Sequence, residues 1–181
     1  RIHLFKDKVD RLWHSTGMEE QQKILPADNK GLFWSIRRVE KGDGTYTVIS
    51  LVRDVNKEEV ILSTQDVIYD IDAAPDGSSL CTVGKSVQII RKLRKGWSTV
   101  YQRNIFAKHV AFLLEGEFIA VVLSESSWLE VWSVDEDLPI VAAIELPGEV
   151  TCISTMRDRI VAGFLSGDLM SIRLCKRNSL F

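Results

Sequence analysis

The chain has 181 residues, enough for one domain with its own hydrophobic core, and its 45% hydrophobic and 27% charged residues exclude disorder as the main state. The longest uninterrupted apolar run, Phe118–Leu123, is far shorter than the roughly 20 residues of a membrane-spanning helix. The net charge of −2 provides no overall field that would attract nucleic acid or an anionic membrane surface.

The N-terminal segment, residues 1–31, has the least regular pattern. Asp7–Leu25 has loose helical spacing that Gly17 interrupts, so a helix and a part of a preceding β-blade both remain open. Ile2–Phe5 is a short apolar segment with strand character. Because the sequence starts with neither a methionine nor a signal peptide, we expect it to be a piece of a longer protein.

From residue 32 onward, apolar residues recur with a period of two between clusters of Gly, Asp, Asn and Ser, a pattern typical of strands. The predicted strands are Leu32–Val39, Thr45–Arg53, Glu59–Ser63, Val67–Ala73, Ser79–Gly84, Ser86–Leu93, Ser98–Arg103, Lys108–Leu113, Glu117–Leu123, Trp128–Val134, Ile140–Glu145, Val150–Thr155, Arg159–Phe164 and Leu169–Leu174. Connections of only a few residues require antiparallel pairing. The sequence therefore predicts an all-β fold.

Three stretches of the chain are similar to one another. Matching Ile71 to Val110 to Ile153 gives steps of 39 and 43 residues between successive repeats. A period near 40 residues with four short strands is that of a β-propeller blade.

These repeats resemble the WD-repeat family of β-propellers. Pro75–Gly77, Ser166–Asp168 and Val131–Trp132 match the family's two turns and the end of its third strand. No repeat begins with Gly-His or closes with Trp-Asp, so the buried hydrogen-bond tetrad typical of the family is not expected. The resemblance covers residues 66–181 well and 32–64 weakly.

The resemblance implies antiparallel four-stranded blades, about four in number, within residues 32–181. The final repeat offers three strands and no convincing fourth, which favours an incomplete ring cut from a larger one. The alternative is a compact ring that Ile2–Phe5 closes by pairing beside Leu169–Leu174. The residues expected to point into the core are Ile71, Val87, Ile89, Val110, Phe112, Val131, Ile153, Val161 and Ile172.

No pattern in the sequence indicates catalysis, a cofactor or a metal site. There is no Gly-x-Ser-x-Gly or Cys-x-x-Cys motif, and the histidines are far apart at positions 3, 14 and 109. Asp70 and Asp72 share a strand face, which suits either acid–base chemistry or a solvated strand edge. We expect a protein that is not an enzyme and has no cofactor.

The three cysteines, Cys81, Cys152 and Cys175, lie in apolar runs where cysteine acts as a small core residue. Their odd number and wide spacing favour a reducing compartment. We therefore expect an intracellular protein, cytoplasmic or nuclear.

The resemblance implies a scaffold that binds other proteins within a larger protein or multiprotein complex. Propeller loops at one end are the expected contact region, here the turns around Asp66, Asn104 and Gly148, with Trp97 and Trp128 as aromatic anchors or as blade packing.

The alternative function is association with nucleic acid. It depends on the basic segment Arg91–Trp97, in which Arg91, Lys92, Arg94 and Lys95 precede an aromatic residue. Four cations at a strand end also protect a hairpin from edge pairing. The near-neutral net charge makes nucleic acid the less favoured partner.

Overall fold

In a computed structural model of the chain, residues 19–26, 33–54, 57–135 and 137–175 are described. These residues form fifteen β-strands and one short 3-10 helix, arranged in four antiparallel sheets. The predicted all-β fold is confirmed. Among the same residues, no helix has the length and apolar character that a membrane span requires.

Within each sheet, consecutive strands lie side by side in chain order. Sheet A contains β1 (Glu19–Pro26), β2 (Phe33–Lys41), β3 (Gly44–Asp54) and β4 (Lys57–Thr64). Sheet B contains β5 (Ile68–Ala73), β6 (Ser79–Gly84), β7 (Val87–Leu93) and β8 (Gly96–Arg103). Sheet C contains β9 (Ala107–Leu113), β10 (Phe118–Leu123), β11 (Trp128–Ser133) and β12 (Ile140–Glu145), with the 3-10 turn Leu114–Gly116 between its first two strands. Sheet D contains β13 (Val150–Met156), β14 (Arg159–Phe164) and β15 (Leu169–Arg173).

Every predicted strand is present, and β6, β12 and β14 have the predicted bounds. One strand was missed. Residues 19–26 form β1, which pairs antiparallel with β2, so the helical alternative for Asp7–Leu25 is wrong in its described part, residues 19–25. Pairing with β2 satisfies the backbone hydrogen-bonding groups of this segment. The weak apolar pattern of the segment did not indicate this pairing. Residues 7–18 and Ile2–Phe5 lie outside the described residues.

The chain divides into two compact units, residues 1–67 and 68–181. Sheet A belongs to the first, in which Trp34 and Ile49 are fully buried. Its β2–β3 hairpin turns at residues 42–43, and Gly44 directly after the turn has a φ of 143°, a value that favours glycine.

In the second unit, the strands β9, β10 and β11 of sheet C are packed on both faces. One hydrophobic cluster, which includes Ile89 and Trp132, joins it to sheet B. A second cluster, which includes Leu129 and Ile160, joins it to sheet D. The nine-residue core prediction is confirmed for Ile71, Val87, Ile89, Val110, Phe112 and Val131, which are all buried.

Three predicted core residues, Ile153, Val161 and Ile172, are only partly buried. All three lie in sheet D. Ile153 and Ile172 are only partly buried against the cluster that joins sheets C and D, whereas Val161 points to the other face of sheet D, outside that cluster.

The glycines of the two predicted turns have the backbone conformation that such turns require. Gly77 has a φ of 70° and Gly167 a φ of 89°, both in the left-handed region. Asp76 Oδ1 accepts hydrogen bonds from the Ser78 backbone N–H at 2.9 Å and from its hydroxyl at 2.8 Å. The local sequence thus determines both hairpins.

The cysteines differ from the core prediction. Cys81 is buried, whereas Cys152 and Cys175 are exposed. Burial raises the pKa of the Cys81 thiol well above its ordinary value, and the nearby Asp72 and Asp70 carboxylates add to this rise. The apolar surroundings in sequence therefore predicted burial correctly at only one of the three positions.

Thiol titration checks this difference. We expect Ellman's reagent to modify two thiols in the native protein and the third, Cys81, only after unfolding. Because the native state keeps the Cys81 proton to a higher pH than the unfolded chain, the free energy of unfolding is expected to fall as the pH rises above about 8.5. Cys81→Ala should flatten that dependence, and rapid modification of three native thiols would contradict the assignment.

Candidate interaction surface

The strands of sheets B, C and D run between two ends of the second unit. The end at which β5, β9 and β13 begin is called the upper end, and the opposite end is called the lower end. Since successive strands are antiparallel, residues 104–106, 124–127 and 146–149 lie at the upper end. The β7–β8 hairpin and residues 157–158 lie at the lower end.

Asp70 and Asp72 are partly buried, and both carboxylates accept hydrogen bonds from the backbone of β9. Asp72 Oδ2 accepts a hydrogen bond of 2.7 Å from the backbone N–H of Phe112, and Asp70 Oδ2 accepts one of 3.3 Å from that of Val110. Both donors lie on the inner edge of β9. The two carboxylates therefore join the first strands of sheets B and C by satisfying backbone groups that no neighbouring strand reaches.

The same inner edge of β9 also has a link to sheet D. The Thr155 hydroxyl donates a hydrogen bond of 2.6 Å to the Phe112 carbonyl oxygen. His109 Nδ1 lies 3.6 Å from Asp70 Oδ2. Within the described ranges, no three His, Cys, Asp or Glu side chains come together as a metal site would require.

The structure separates the members of the basic segment. Arg91 Nη2 donates a hydrogen bond of 3.0 Å to the Val134 carbonyl oxygen in sheet C, and the Arg91 guanidinium lies 5.4 Å from the centre of the Tyr101 ring. Lys92 and Trp97 are opposite each other in the β7–β8 hairpin, with the ammonium 5.9 Å from the ring centre. Arg91 thus connects two sheets.

Arg94 and Lys95 form the exposed turn of the same hairpin. Together with Lys92 they leave three cations beside Trp97 on the surface at the lower end of sheet B. Trp97 itself is half-buried. The predicted grouping of cations and an aromatic ring is therefore present without Arg91.

Trp128 lies at the other end. It begins β11 at the upper end of sheet C, opposite Glu145 on β12, and 40% of its surface is exposed. Trp97 and Trp128 therefore cannot contribute to one compact contact. Trp132, four residues later on the same strand, is fully buried.

Strand β12, the outer strand of sheet C, exposes all six of its residues. Five of them are apolar, and Ile140, Val141 and Ile144 are 44%, 53% and 37% exposed. We call Trp128, Ile140, Val141 and Ile144 the apolar edge. Sequence reasoning found only Trp128, because an uninterrupted apolar strand is typically buried on both faces. The sequence does not show that β12 is the outermost strand of sheet C.

An apolar groove opens at the lower end between sheets C and D, with a volume of about 800 Å³. Sheet D has three strands among the described residues, so nothing described there covers the groove from the outside. The apolar walls are formed mainly by Phe118, Val131, Val141 and Leu174, and the charged rim by Glu115, Glu117, Arg157 and Asp158. Val141 connects the groove with the apolar edge.

The turns predicted as contact loops fall in both units. Residues around Asn104 and Gly148 lie at the upper end of the second unit, where a cavity of about 360 Å³ is bordered by residues 122–127 and 148–150. Lys108 Nζ and Glu149 Oε1 are 3.4 Å apart beside it. Asp66 belongs to the first unit, where its carbonyl oxygen accepts a hydrogen bond of 3.1 Å from the Thr47 hydroxyl.

No protein-family model matches the sequence, and no curated protein matches it. Solved structures do match. The β-propeller domain of Cps50 (Swd1) from Myceliophteria thermophila has 15% identity and a TM-score of 0.64 over 87% of this chain and 55% of that one. KlAtg21, solved with the coiled coil of AgAtg16, has 15% identity and a TM-score of 0.61 over 88% of this chain and 54% of that one. Hsv2 of Kluyveromyces lactis has 20% identity and a TM-score of 0.51 over 62% of this chain and 34% of that one.

These similarities, at such low identity, establish the fold. The antiparallel sheets are blades of a β-propeller, as the repeats predicted. The chain spans about half the length of the first of these structures and a third of the last.

Proposed function

We propose that this chain is part of a non-catalytic β-propeller scaffold of the WD-repeat type, which holds protein partners within a larger protein or complex. The apolar edge carries the proposal. Contiguous exposed apolar residues on a folded protein are typical of interaction sites, and tryptophan is enriched among the residues that dominate binding energy. On one blade, Val141 and Ile144 are exposed on the face that borders the groove between sheets C and D, and Trp128 and Ile140 are exposed on the other face.

The similar structures support the class of function without identifying a partner. KlAtg21 was solved together with a coiled coil of another protein. For this chain, an apolar contact predicts binding that changes little with salt concentration, because the hydrophobic effect does not depend on charge.

Several features support the WD-repeat type. The repeat steps are 39 and 43 residues, and both predicted turns contain a glycine with positive φ. Trp132 is buried between sheets B and C at the family's third-strand position, with the Arg103 guanidinium 4.8 Å from its ring centre.

Charge placed on the apolar edge tests the scaffold function. Val141→Arg should remove partners recovered by in-cell crosslinking and affinity purification, and should leave the thermal midpoint unchanged, because this side chain is 53% exposed. Leu165→Arg is the matched control, since Leu165 is 71% exposed on the β14–β15 turn, away from the edge. An identical set of partners for both variants would refute the proposed site.

The β7–β8 hairpin supports a second candidate function, which is binding of single-stranded nucleic acid. Its Lys92, Arg94, Lys95 and Trp97 side chains share one surface. Such binding would weaken steeply as salt rises, and Arg94→Gln with Lys95→Gln would reduce the salt dependence. We expect no oligonucleotide binding at physiological salt, since Arg91 is engaged in the contact between sheets. Salt-sensitive binding by wild type would favour this second function over the scaffold.

A further inference from the structure

The outer edge of β12 has backbone groups that no described strand uses. The Leu146 N–H donates to the Ser127 carbonyl oxygen at 2.6 Å, so the next pair, Trp128 and Glu145, has no backbone hydrogen bonds between its members. Because bonded and non-bonded pairs alternate along an antiparallel ladder, the N–H and C=O groups of Ala143 and Glu145 point away from β11. Among the described strands, β11 alone pairs with β12. The edge is therefore open to another strand.

This edge lacks the polar side chains that the outer strands of sheets A and B carry. Strand β4 exposes the charged residues Lys57–Glu59, and β8 exposes Ser98–Thr99. Polar and above all charged side chains on an edge strand discourage pairing with other chains. From Ile140 to Ile144, β12 has only apolar side chains, and all of them are exposed. We therefore expect a partner to cover this edge.

The exposed apolar side chains beside this edge lie on both faces of sheet C. Val141 and Ile144 are on the face that borders the groove between sheets C and D, and Trp128 and Ile140 are on the other face. A flat partner surface would cover only one face. A strand added to the edge of β12 directs alternate side chains to the two faces, so it can contact the whole apolar edge.

Carboxylates flank the apolar strand at both ends. Asp135 and Asp137 precede it, and Glu145 and Glu149 end and follow it. Glu149 Oε1 lies 3.4 Å from Lys108 Nζ, whereas Asp137 and Glu145 form no ion pair with any described residue. Two copies of β12 paired antiparallel about a two-fold axis would bring acidic ends together, and like charges repel. A strand with basic ends would meet opposite charges instead.

We propose that β12 binds an extended segment of another protein as an added strand, and that this segment has an apolar centre with Lys or Arg at both ends. The inference rests on the proposed scaffold function and names the chemistry of one partner. Main-chain hydrogen bonds to Ala143 and Glu145, together with the apolar edge, provide the affinity. The acidic flanks select the segment, because exposed ion pairs add little to affinity. Pro139 and Pro147 lack an N–H and limit the added strand to the residues between them.

The peptide Lys-Lys-Val-Ile-Val-Ile-Val-Lys-Lys, added to the full chain, tests the proposal. When the peptide saturates the protein, the Ala143 and Glu145 amides should exchange at least about 10-fold more slowly, as measured by NMR. The Ile144 amide faces β11 and serves as an internal control with unchanged protection. A peptide with Glu in place of each Lys should bind at least about 10-fold more weakly, because it repels the acidic flanks. A peptide with N-methyl groups throughout its apolar centre should lose binding, because it cannot donate to the Ala143 or Glu145 carbonyl oxygens.

Two variants of the chain separate this inference from the proposed function. Ala143→Pro removes an N–H that β11 does not use, so it should weaken peptide binding at least about 10-fold and leave the thermal midpoint near that of wild type. Should the midpoint fall, the N-methylated peptide decides the question with the wild-type chain. Glu145→Lys should also weaken binding of the Lys-ended peptide, and Glu59→Lys, on the outer strand of sheet A, is the matched control. Loss of natural partners with Val141→Arg but not with Ala143→Pro would leave the scaffold function standing and refute strand addition.

Three further outcomes would overturn the proposal. Unchanged exchange of Ala143 and Glu145 at saturating peptide would exclude pairing at this edge. Equal binding of the Lys-ended and Glu-ended peptides would exclude a partner chosen by its basic ends. Protection that rises with protein concentration in the absence of peptide would assign the edge to a second copy of the chain.

Discussion

Replacing Trp132 by alanine is expected to lower the free energy of unfolding of the second unit by about 3–5 kcal/mol. The Trp132 ring is fully buried in the cluster that joins sheets B and C. Its removal leaves a cavity between two blades and also takes away the surface on which the Arg103 guanidinium rests, 4.8 Å from the ring centre. Urea denaturation followed by circular dichroism measures the change.

Trp128→Ala is the matched control, because it removes the same side chain from the same strand at a site that is 40% exposed. We expect it to cost less than half as much stability and to weaken partner binding. A Trp132→Ala midpoint close to that of wild type would contradict the packing between sheets B and C. A Trp128→Ala protein that lost stability and kept every partner would contradict the role of Trp128 in the apolar edge.

The second large effect is expected at Asp72. Asp72→Ala leaves the Phe112 backbone N–H, which donates to the Asp72 carboxylate at 2.7 Å, without that acceptor. An unsatisfied buried donor costs about 1–3 kcal/mol, so the free energy of unfolding should fall by that amount. Exchange of the Phe112 amide should accelerate in the same variant, which ties the loss to this hydrogen bond.

Asp72→Asn separates hydrogen bonding from charge, since the asparagine carbonyl oxygen can accept the same bond. We expect it to retain most of the stability that Asp72→Ala loses. If both variants behaved like wild type, the link between β5 and β9 would contribute nothing to the second unit. If Asn were as damaging as Ala, charge would be the important property of the side chain.

The strands and turns were predictable because they depend on neighbours in sequence. Period-two patterns located β2 to β15, and Gly77 and Gly167 stand where the turns need positive φ. Strand β1 was missed because it depends on pairing with β2, a partner that its own residues do not indicate.

The surface was less predictable, because it depends on contacts between sheets. Asp72 meets a backbone group 40 residues away, and Arg91 one 43 residues away, so neither role is visible in the local sequence. The exposure of Val141 depends on β12 being the outermost strand, which follows from strand order and not from residue type. Trp128 was recognised as a candidate since aromatic residues stand out individually.

The bonds between neighbouring sheets have a consequence for how the protein is made. Asp72 and Phe112 are 40 residues apart, and Phe112 and Thr155 are 43 apart, so each link spans about one repeat. A blade emerging from the ribosome must therefore wait for the next blade before its apolar face is covered. At about 5–20 residues per second this delay lasts roughly 2–9 seconds. During synthesis the growing chain always carries one uncovered blade face, the surface that a co-translational chaperone would recognise.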